Sequence, residues 1–318
     1  MNTVSNKVVA LFGPTACGKT AMLEKLFLDS DRPFRRPVVV VSADSAQVYR
    51  GMDIGSAKPE AGLLARLPHE LINLRSPDET FSVGDFVALA DDACRKASAG
   101  GSLPVISGGT AYYIKAFVMG LFTAPKADPA IRAAVAEEMI AKGNAAMLAE
   151  LAKVDPVSAA RIAPADGYRI GRALEVYRCS GRPLSDFAVP DEPRAEWAVL
   201  ALGLDRPRAD LYERIRLRVD AMMAAGLPAE VASLVAAGYG QGDPGMKAIG
   251  YAEFLDAGIA EKGLAGLNLR AVAEDIALHT RHYAKRQLTF MRSLHKVAWF
   301  DADDVDGART AIGDFLSV

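Results

Sequence analysis

The residues Gly13-Pro14-Thr15-Ala16-Cys17-Gly18-Lys19-Thr20 carry the spacing G-x-x-x-x-G-K-[ST], which is the spacing of an anion cradle. Glycine at 13 and 18 permits backbone angles that a Cβ forbids, so successive N–H groups can converge on one anion. A helix opening at Gly18 adds its positive dipole end. Lys19 supplies a point charge for phosphate oxygens, and the Thr20 hydroxyl suits a Mg2+ ligand. The pattern specifies a diphosphate. It does not say whether that diphosphate belongs to a nucleotide.

A second group of polar residues follows the apolar run Val38 to Ser42, in SADSAQVYRGMDIGSAKP. Asp44 stands two residues beyond the run. A carboxylate there can hold a metal as a Walker B aspartate does, act as a general base, or cap the next turn. Ser45 and Gln47 offer hydrogen-bonding groups suited to a base edge or a sugar. A third group, SGGTAYYIKAF, follows Leu103 to Ser107. Gly108 and Gly109 permit close approach of backbone to a ligand, and Thr110 opens a helix, where it can serve as a cap. Further along, Arg169 and Arg172 lie three apart on one helical face. Between Asp275 and Asp301 there is no acid, and Arg281, Lys285, Arg286, Arg292 and Lys296 fall in that window. Such a basic face can follow phosphates even on a chain of net charge −2, or it can be solvated surface.

These groups need elements to position them. Val8 to Phe12 is a strand and Lys19 to Leu28 a helix, so the cradle sits at a strand-to-helix turn. Val38 to Ser42 and Leu103 to Ser107 read as buried parallel strands, with a weaker candidate at Leu71 to Leu74. Ser82 caps a helix from Val83 to Ala99 that Gly100-Gly101 ends. This rhythm implies a parallel sheet with helices on both faces. Ligands of such sheets gather at the carboxyl ends of the strands, which is where all three groups lie. From Asp128 to about Ser180 the periodicity is helical only. Trp197 to Leu204 returns as strand. Helices follow over Arg208 to Ala225, Ala229 to Ala237, Lys247 to Ala260 and Leu269 to Leu294, with a last strand at Val297 to Phe300. The expected class is α/β: a P-loop NTPase-like parallel sheet flanked by helices, built from 1–122 and 188–318, with an all-helical insertion over 123–187.

With 318 residues and a hydrophobic fraction of 51 %, the chain can bury a sizeable core. No run approaches the roughly 20 apolar residues of a membrane span. The start, MNTVSNKVV, lacks a signal-peptide pattern, so a cytoplasmic protein is expected. Cys17, Cys94 and Cys179 are far apart, odd in number and without metal-ligand spacing.

The stretches GPTACGKT, DSAQVYRGMDIGSAKP, SGGTAYYIKA, RALEVYRCSG, AIGYAE and AKRQLTFMR, in this order and spread over most of the chain, resemble the bacterial tRNA dimethylallyltransferase (tRNA isopentenyltransferase) family. The resemblance implies transfer of a dimethylallyl group from dimethylallyl pyrophosphate to the exocyclic amine of the adenosine on the 3′ side of the tRNA anticodon. It implies that the cradle, residues 13 to 20, grips pyrophosphate with Mg2+ on Thr20, and that Asp44, Thr15 and Lys19 serve catalysis. It implies tRNA contacts at Asp44, Ser45, Ala46, Gln47, Thr110, Arg132, Tyr168, Arg169, Arg172, Lys247, Lys285, Arg286, Gln287 and Arg292, with the insertion closing on the anticodon stem-loop of a monomeric enzyme. Cys17 stands where the family often has serine, Tyr168 where it has glutamine and Phe290 where it has tryptophan. Cys17 is therefore expected to expose the loop to alkylation. The competing reading is a P-loop kinase acting on a small acceptor; it leaves the basic helix and the DSAQVY context unexplained. A GTPase would need an N-K-x-D or T-K-x-D motif, which the sequence lacks, and a non-catalytic RNA-binding module would leave the cradle idle.

Overall fold

A computed structural model describes residues 6–29, 36–121, 124–125, 128–187, 190, 192–294 and 296–317. Of the residues at the expected domain junctions 122/123 and 187/188, only Phe187 lies within that set. The chain forms two compact units, one of residues 1–118 with 194–318 and the other of Met119–Pro193.

The first unit opens with β1 (Lys7–Phe12), α1 (Lys19–Phe27), β2 (Val38–Ser42), α2 (Ala61–Arg66), β3 (His69–Glu70), α3 (Val83–Ala99), β4 (Leu103–Gly108) and α4 (Ala111–Met119). The second unit holds α5 (Pro129–Val154), α6 (Pro156–Arg161) and α7 (Gly167–Ser180). The chain then continues through β5 (Ala198–Asp205), α8 (Arg208–Ala224), α9 (Leu227–Ala236), α10 (Ala252–Asp256), α11 (Ile259–Lys262), α12 (Leu269–Met291), β6 (Val297–Asp301) and α13 (Val305–Ser317).

The six strands form one parallel sheet in the order β3-β2-β4-β1-β5-β6. Parallel strands are covered on both faces, which is why Val8, Val9, Ala10, Leu11 and Phe12 are apolar without alternation and all have no exposed surface. On one face Val9, Leu11, Val105 and Leu202 pack with Met22 and Leu26 of α1, Leu211 and Ile215 of α8, and Ile312 of α13. A second cluster surrounds the segment after β2: Val48, Tyr49 and Met52 pack with Val219, Leu227, Val231, Tyr251, Phe254 and Ile276.

Register decides the site. Phe12 of β1 lies beside Gly108 of β4, and Ser42 of β2 lies beside Ser107. The three carboxyl ends are level, with β4 between the other two. At about 4.8 Å per strand spacing, β1 and β2 end roughly 10 Å apart. The strand between them ends in Gly108-Gly109 and contributes no side chain there; the Gln287 amide lies over Gly109 instead, 2.7 Å from where a Cβ would stand.

Three expectations are corrected. The strand expected at Leu71 to Leu74 lies at His69–Glu70, because Leu71 (φ 66°) and Asn73 (φ 57°) turn left-handed. Lys247 to Ala260 is not one helix: Gly250 (φ 99°) and Gly258 (φ 85°) break it into a short turn and α10, followed by α11. The helix α13 was not anticipated; it buries Ala308 and Ile312.

In the second unit α5 is interrupted at Gly143 (φ 74°), and the core is Val135, Met147, Leu151, Ile170 and Leu174. Asp128, Asp155 and Asp166 each cap a helix by accepting a backbone N–H. Among the described residues no single helix is long and apolar enough to cross a membrane.

Candidate active site

The cradle follows β1 directly. A Cβ at Gly13 would lie 2.8 Å from the Cys17 Sγ and 2.9 Å from the Leu204 carbonyl oxygen, so the first glycine is required by packing. Gly18 has φ 116°, and Ala16 takes φ 63° without being glycine. Such a conformation costs about 1–3 kcal/mol and persists where neighbours hold it. Two arginines do so from outside: Arg214 Nε donates to the Ala16 carbonyl (2.8 Å) and Arg206 Nε to the Cys17 carbonyl (3.0 Å). Arg206 is itself fixed by Asp303 at 2.7 Å. With these carbonyls drawn outward, the N–H groups are left to face the anion. Lys19 Nζ donates to the carbonyls of Gly13 (3.0 Å) and Pro14 (2.9 Å), folded over the loop. Thr20 is exposed in the first turn of α1.

Across the glycine floor, Asp44 Oδ1 accepts from the N–H of Ala46 (2.9 Å) and Gln47 (3.4 Å), so this carboxylate does cap the following turn. Oδ2 is left without a hydrogen bond among the described residues, and one oxygen of the carboxylate therefore remains free for a proton. Thr110 Oγ1 accepts from Ser45 N–H (3.0 Å), tying the end of β4 to the segment after β2. A Cβ at Gly108 would lie 2.1 Å from the Ala43 carbonyl oxygen; only glycine lets the two backbones meet there.

The side of the site is α12. Gln287, 3 % exposed, accepts from the Thr15 N–H (2.9 Å) and donates to the Gly109 carbonyl (2.6 Å). It spans from the cradle to the floor. One turn earlier, the Tyr283 hydroxyl meets Thr110 and Gln287; burial, reinforced by the Asp44 charge, pushes its pKa up to about 12. The hydroxyl thus stays protonated beside the carboxylate. From α8, Arg218 reaches the same region: desolvation lowers its pKa, while the Asp44 charge opposes that. Sequence reasoning missed Arg206, Arg214, Arg218 and Tyr283. A signal existed for two of them, because Arg214 and Arg218 are four apart beside the buried stripe Leu211, Ile215, Val219 of α8.

A family profile described as IPP transferase matches residues 47–294, more than half of the chain. The chain belongs to the IPP transferase family. The tRNA dimethylallyltransferase of Polaromonas sp. (strain JS666 / ATCC BAA-500) is 44 % identical over 306 residues, covering 92 % of this chain and 90 % of that protein. The solved structure of the full-length tRNA isopentenylpyrophosphate transferase of Bacillus halodurans matches with TM-score 0.65 and 34 % identity, covering 98 % of this chain and 96 % of the other. A eukaryotic dimethylallyltransferase acting on tRNA, 24 % identical, shares the fold with TM-score 0.78 over 98 % of this chain and 80 % of its own. The sheet is accordingly the P-loop NTPase-like sheet of the IPP transferases, and a prenyl diphosphate is the kind of substrate the cradle suits.

The remaining residues that the family resemblance marks for RNA are found as follows. On the first unit of this IPP transferase, Lys247, Lys285, Arg286 and Arg292 are exposed. Arg292 pairs with Asp205, whereas Lys285 and Arg286 meet no carboxylate among the described residues. Gln47 spends its amide internally, accepting from Ser42 Oγ (2.9 Å) and donating to the Ala57 carbonyl (3.2 Å). Gln287 departs from the outward position expected of it, because its amide is consumed by Thr15 and Gly109. On the second unit, Tyr168 is 84 % exposed, Arg169 pairs with Asp166 (3.3 Å), Arg132 approaches Glu175 (3.9 Å), and Arg172 donates to the Pro125 carbonyl (2.9 Å). Cys17 has no exposed surface, which overturns the expectation of ready alkylation.

Proposed function

We infer that this chain transfers a dimethylallyl group from dimethylallyl pyrophosphate to the exocyclic amine of the adenosine 3′-adjacent to the anticodon of tRNA, releasing pyrophosphate, as a cytoplasmic monomer. One observation carries the reading beyond family membership. A diphosphate cradle and a half-free carboxylate stand on either side of β4 at the level carboxyl ends of one sheet, where a leaving group and a proton acceptor can serve one reacting centre.

The amine is a poor nucleophile because its lone pair is delocalised into the ring. The nitrogen attacks the allylic carbon; the C–O bond to the diphosphate breaks and its electron pair leaves with pyrophosphate. The loop N–H groups of Ala16, Gly18, Lys19 and Thr20 and the Lys19 ammonium receive that charge, Arg206 and Arg214 add to the positive field, and Thr15, its own N–H held by Gln287, aligns the reacting groups. Asp44 accepts the proton that the amine sheds through Oδ2, while Oδ1 stays on its backbone cap. Tyr283 remains neutral and adds no competing charge. No group of three or more acidic, His or Cys side chains that could cage a metal occurs among the described residues. The exposed Thr20 hydroxyl would help to hold Mg2+, which when bound would neutralise charge on the leaving group. The target base must leave its stack, at a cost of a few kcal/mol that is smallest for a loop base. Ser45, Ala46, Thr110 and the exposed Lys247, Lys285, Arg286 and Arg292 offer contacts to tRNA on the first unit, and Arg132, Tyr168, Arg169 and Arg172 on the second.

The test pairs labelled prenyl pyrophosphate with undermodified tRNA, beside ATP with small acceptors. Label in tRNA supports the reading; phosphorylated acceptor supports a kinase instead. Asp44→Asn should lower kcat by about 100- to 10,000-fold and leave tRNA affinity within a few-fold. Full turnover in that variant would remove Asp44 from the proposed role.

A further inference from the structure

Glu230, on α9, takes no part in the chemistry above, yet its carboxylate gathers four donors. Oε2 accepts from the N–H groups of Asp53 (2.9 Å) and Ile54 (2.8 Å). Oε1 accepts from the N–H of Gly55 (3.1 Å) and from the Tyr251 hydroxyl (2.6 Å). Three successive N–H groups of one turn converge on one carboxylate, as in a backbone anion nest, and charge-assisted bonds of this kind are about twice as strong as neutral ones.

The donors come from two segments that are far apart in sequence. The 53–55 turn follows Asp44 to Gln47. Tyr251 belongs to the segment 247–252. Its ring has no exposed surface, and a Cβ at Gly55 would lie 2.6 Å from it, so ring and turn pack directly. The turn then hands the carbonyls of Ser56 (3.5 Å) and Ala57 (3.2 Å) to Gln47 Nε2. Lys58 closes the turn from the other side through Asp53 Oδ1 (2.7 Å) and Asn73 Oδ1 (2.6 Å). On the other segment, Glu253 accepts from the Gly250 N–H (2.7 Å) and meets His279 Nδ1 (2.7 Å). Gly51 (φ 73°), Ala57 (φ 50°) and Gly250 (φ 99°) hold left-handed backbone along this route. A backbone kept in such conformations by so many bonds is preorganised, and preorganisation reduces the ordering cost of binding.

We propose that Glu230 is a positioning residue: it fixes the 53–57 turn and the 247–252 segment as one surface for the RNA substrate, and sets RNA affinity while touching neither RNA nor prenyl donor. This rests on the tRNA reading given above. Glu230→Gln replaces one acceptor oxygen by an NH2 that faces donors, and Tyr251→Phe deletes one bond and leaves the three N–H bonds. Hydrogen exchange on the free chain reads the turn directly, and steady-state kinetics with each substrate in turn reads the consequence.

For Glu230→Gln, amides 53–55 should exchange about tenfold faster while β1 and β4 keep their protection. The KM for RNA should rise about tenfold, equivalent to about 1.4 kcal/mol, with kcat and the donor KM within about twofold. Tyr251→Phe should give about a third of the effect, and it carries the test if Glu230→Gln does not fold. Unchanged exchange overturns the proposal. So does faster exchange with a native RNA KM, and so does a parallel loss in kcat and both KM values together with a lowered thermal midpoint, which is the mark of a merely structural residue. If the native chain transfers nothing to RNA, the function reading fails separately, and direct RNA retention on filters then decides Glu230: equal retention by the variant and the native chain refutes it.

Discussion

Gln287 offers the sharpest test of how the cradle is held. Its amide is buried, accepts from Thr15 N–H at 2.9 Å and donates to the Gly109 carbonyl at 2.6 Å. Gln287→Leu keeps the side-chain bulk and removes both bonds, leaving a buried donor and a buried acceptor unpaired. Each unpaired group costs about 1–3 kcal/mol, so the substitution should destabilise the chain by about 2–6 kcal/mol. Gln287→Ala opens room for water to reach both groups and should cost less, about 1–2 kcal/mol. Gln287→Glu tests the electrostatics. A carboxylate can still accept from Thr15, but it places a negative charge beside the diphosphate. At roughly 6–7 Å and an effective dielectric of about 20, the repulsion is about 2–3 kcal/mol per unit charge, enough to weaken inorganic pyrophosphate binding by tens-fold. Urea unfolding measures the first pair and calorimetric pyrophosphate titration the third. The bridge has no energetic role if the Leu variant unfolds at the native urea midpoint. The proximity of α12 to the anion is wrong if the Glu variant binds pyrophosphate like the native chain.

Other outcomes follow from the same geometry. Lys285→Glu reverses an exposed charge that has no carboxylate partner among the described residues; tRNA binding should weaken, and the slope of log affinity against log salt should become shallower by about one unit, as read by filter binding over a salt series. Asp91 accepts from both terminal nitrogens of Arg194 (2.8 and 2.9 Å) and from the Trp197 indole (2.9 Å). Burial works to raise its pKa, but these hydrogen bonds and the charges of Arg194 and Arg95 outweigh burial and lower it. A lowered carboxyl pKa gives stability that is complete above the unfolded pKa of about 3.9 and is lost as pH falls through the folded value. Asp91→Asn should therefore cost about 3 kcal/mol near pH 7, and the gap to the native chain should close only in acid, as followed by unfolding at stepped pH. Iodoacetamide on the native chain at pH 8 should label Cys179 first, because Cys17 is wholly buried and burial holds the Cys94 thiol up at about 12; peptide mapping of the modified sites decides it.

Much of this site could be read from the sequence because its parts are local. The cradle needs Gly13, Gly18, Lys19 and Thr20 within one turn, and the structure places that turn between β1 and α1. Asp44 and the Gly108-Gly109 pair were legible for the same reason, since each lies just past an apolar run. What the sequence concealed is long-range. Nothing local announces that Gln287 must reach Thr15 across 272 residues, or that Arg206 and Arg214 brace the cradle's carbonyls from almost 200 residues away. Helix ends in the 245–266 region were missed because turn glycines, not hydrophobic period, set them.

The strand order explains why these distant parts had to converge. With β4 inserted between β1 and β2, the phosphate loop and the carboxylate are separated by one strand that ends without side chains. Gly108 and Gly109 offer no side chain of their own to hold the two banks in register, and the Gln287 amide fills the space over Gly109. Thr110 binds β4 to the Asp44 bank through Ser45, and Gln287 binds β4 to the cradle bank through Thr15. Tyr283 lies on α12 between those two ties, with its hydroxyl meeting both Thr110 and Gln287. The separation between cradle and carboxylate is thereby set by α12 and not by the sheet alone. Gln287→Ala, the mildest of the substitutions, should for that reason still reduce turnover more than pyrophosphate affinity.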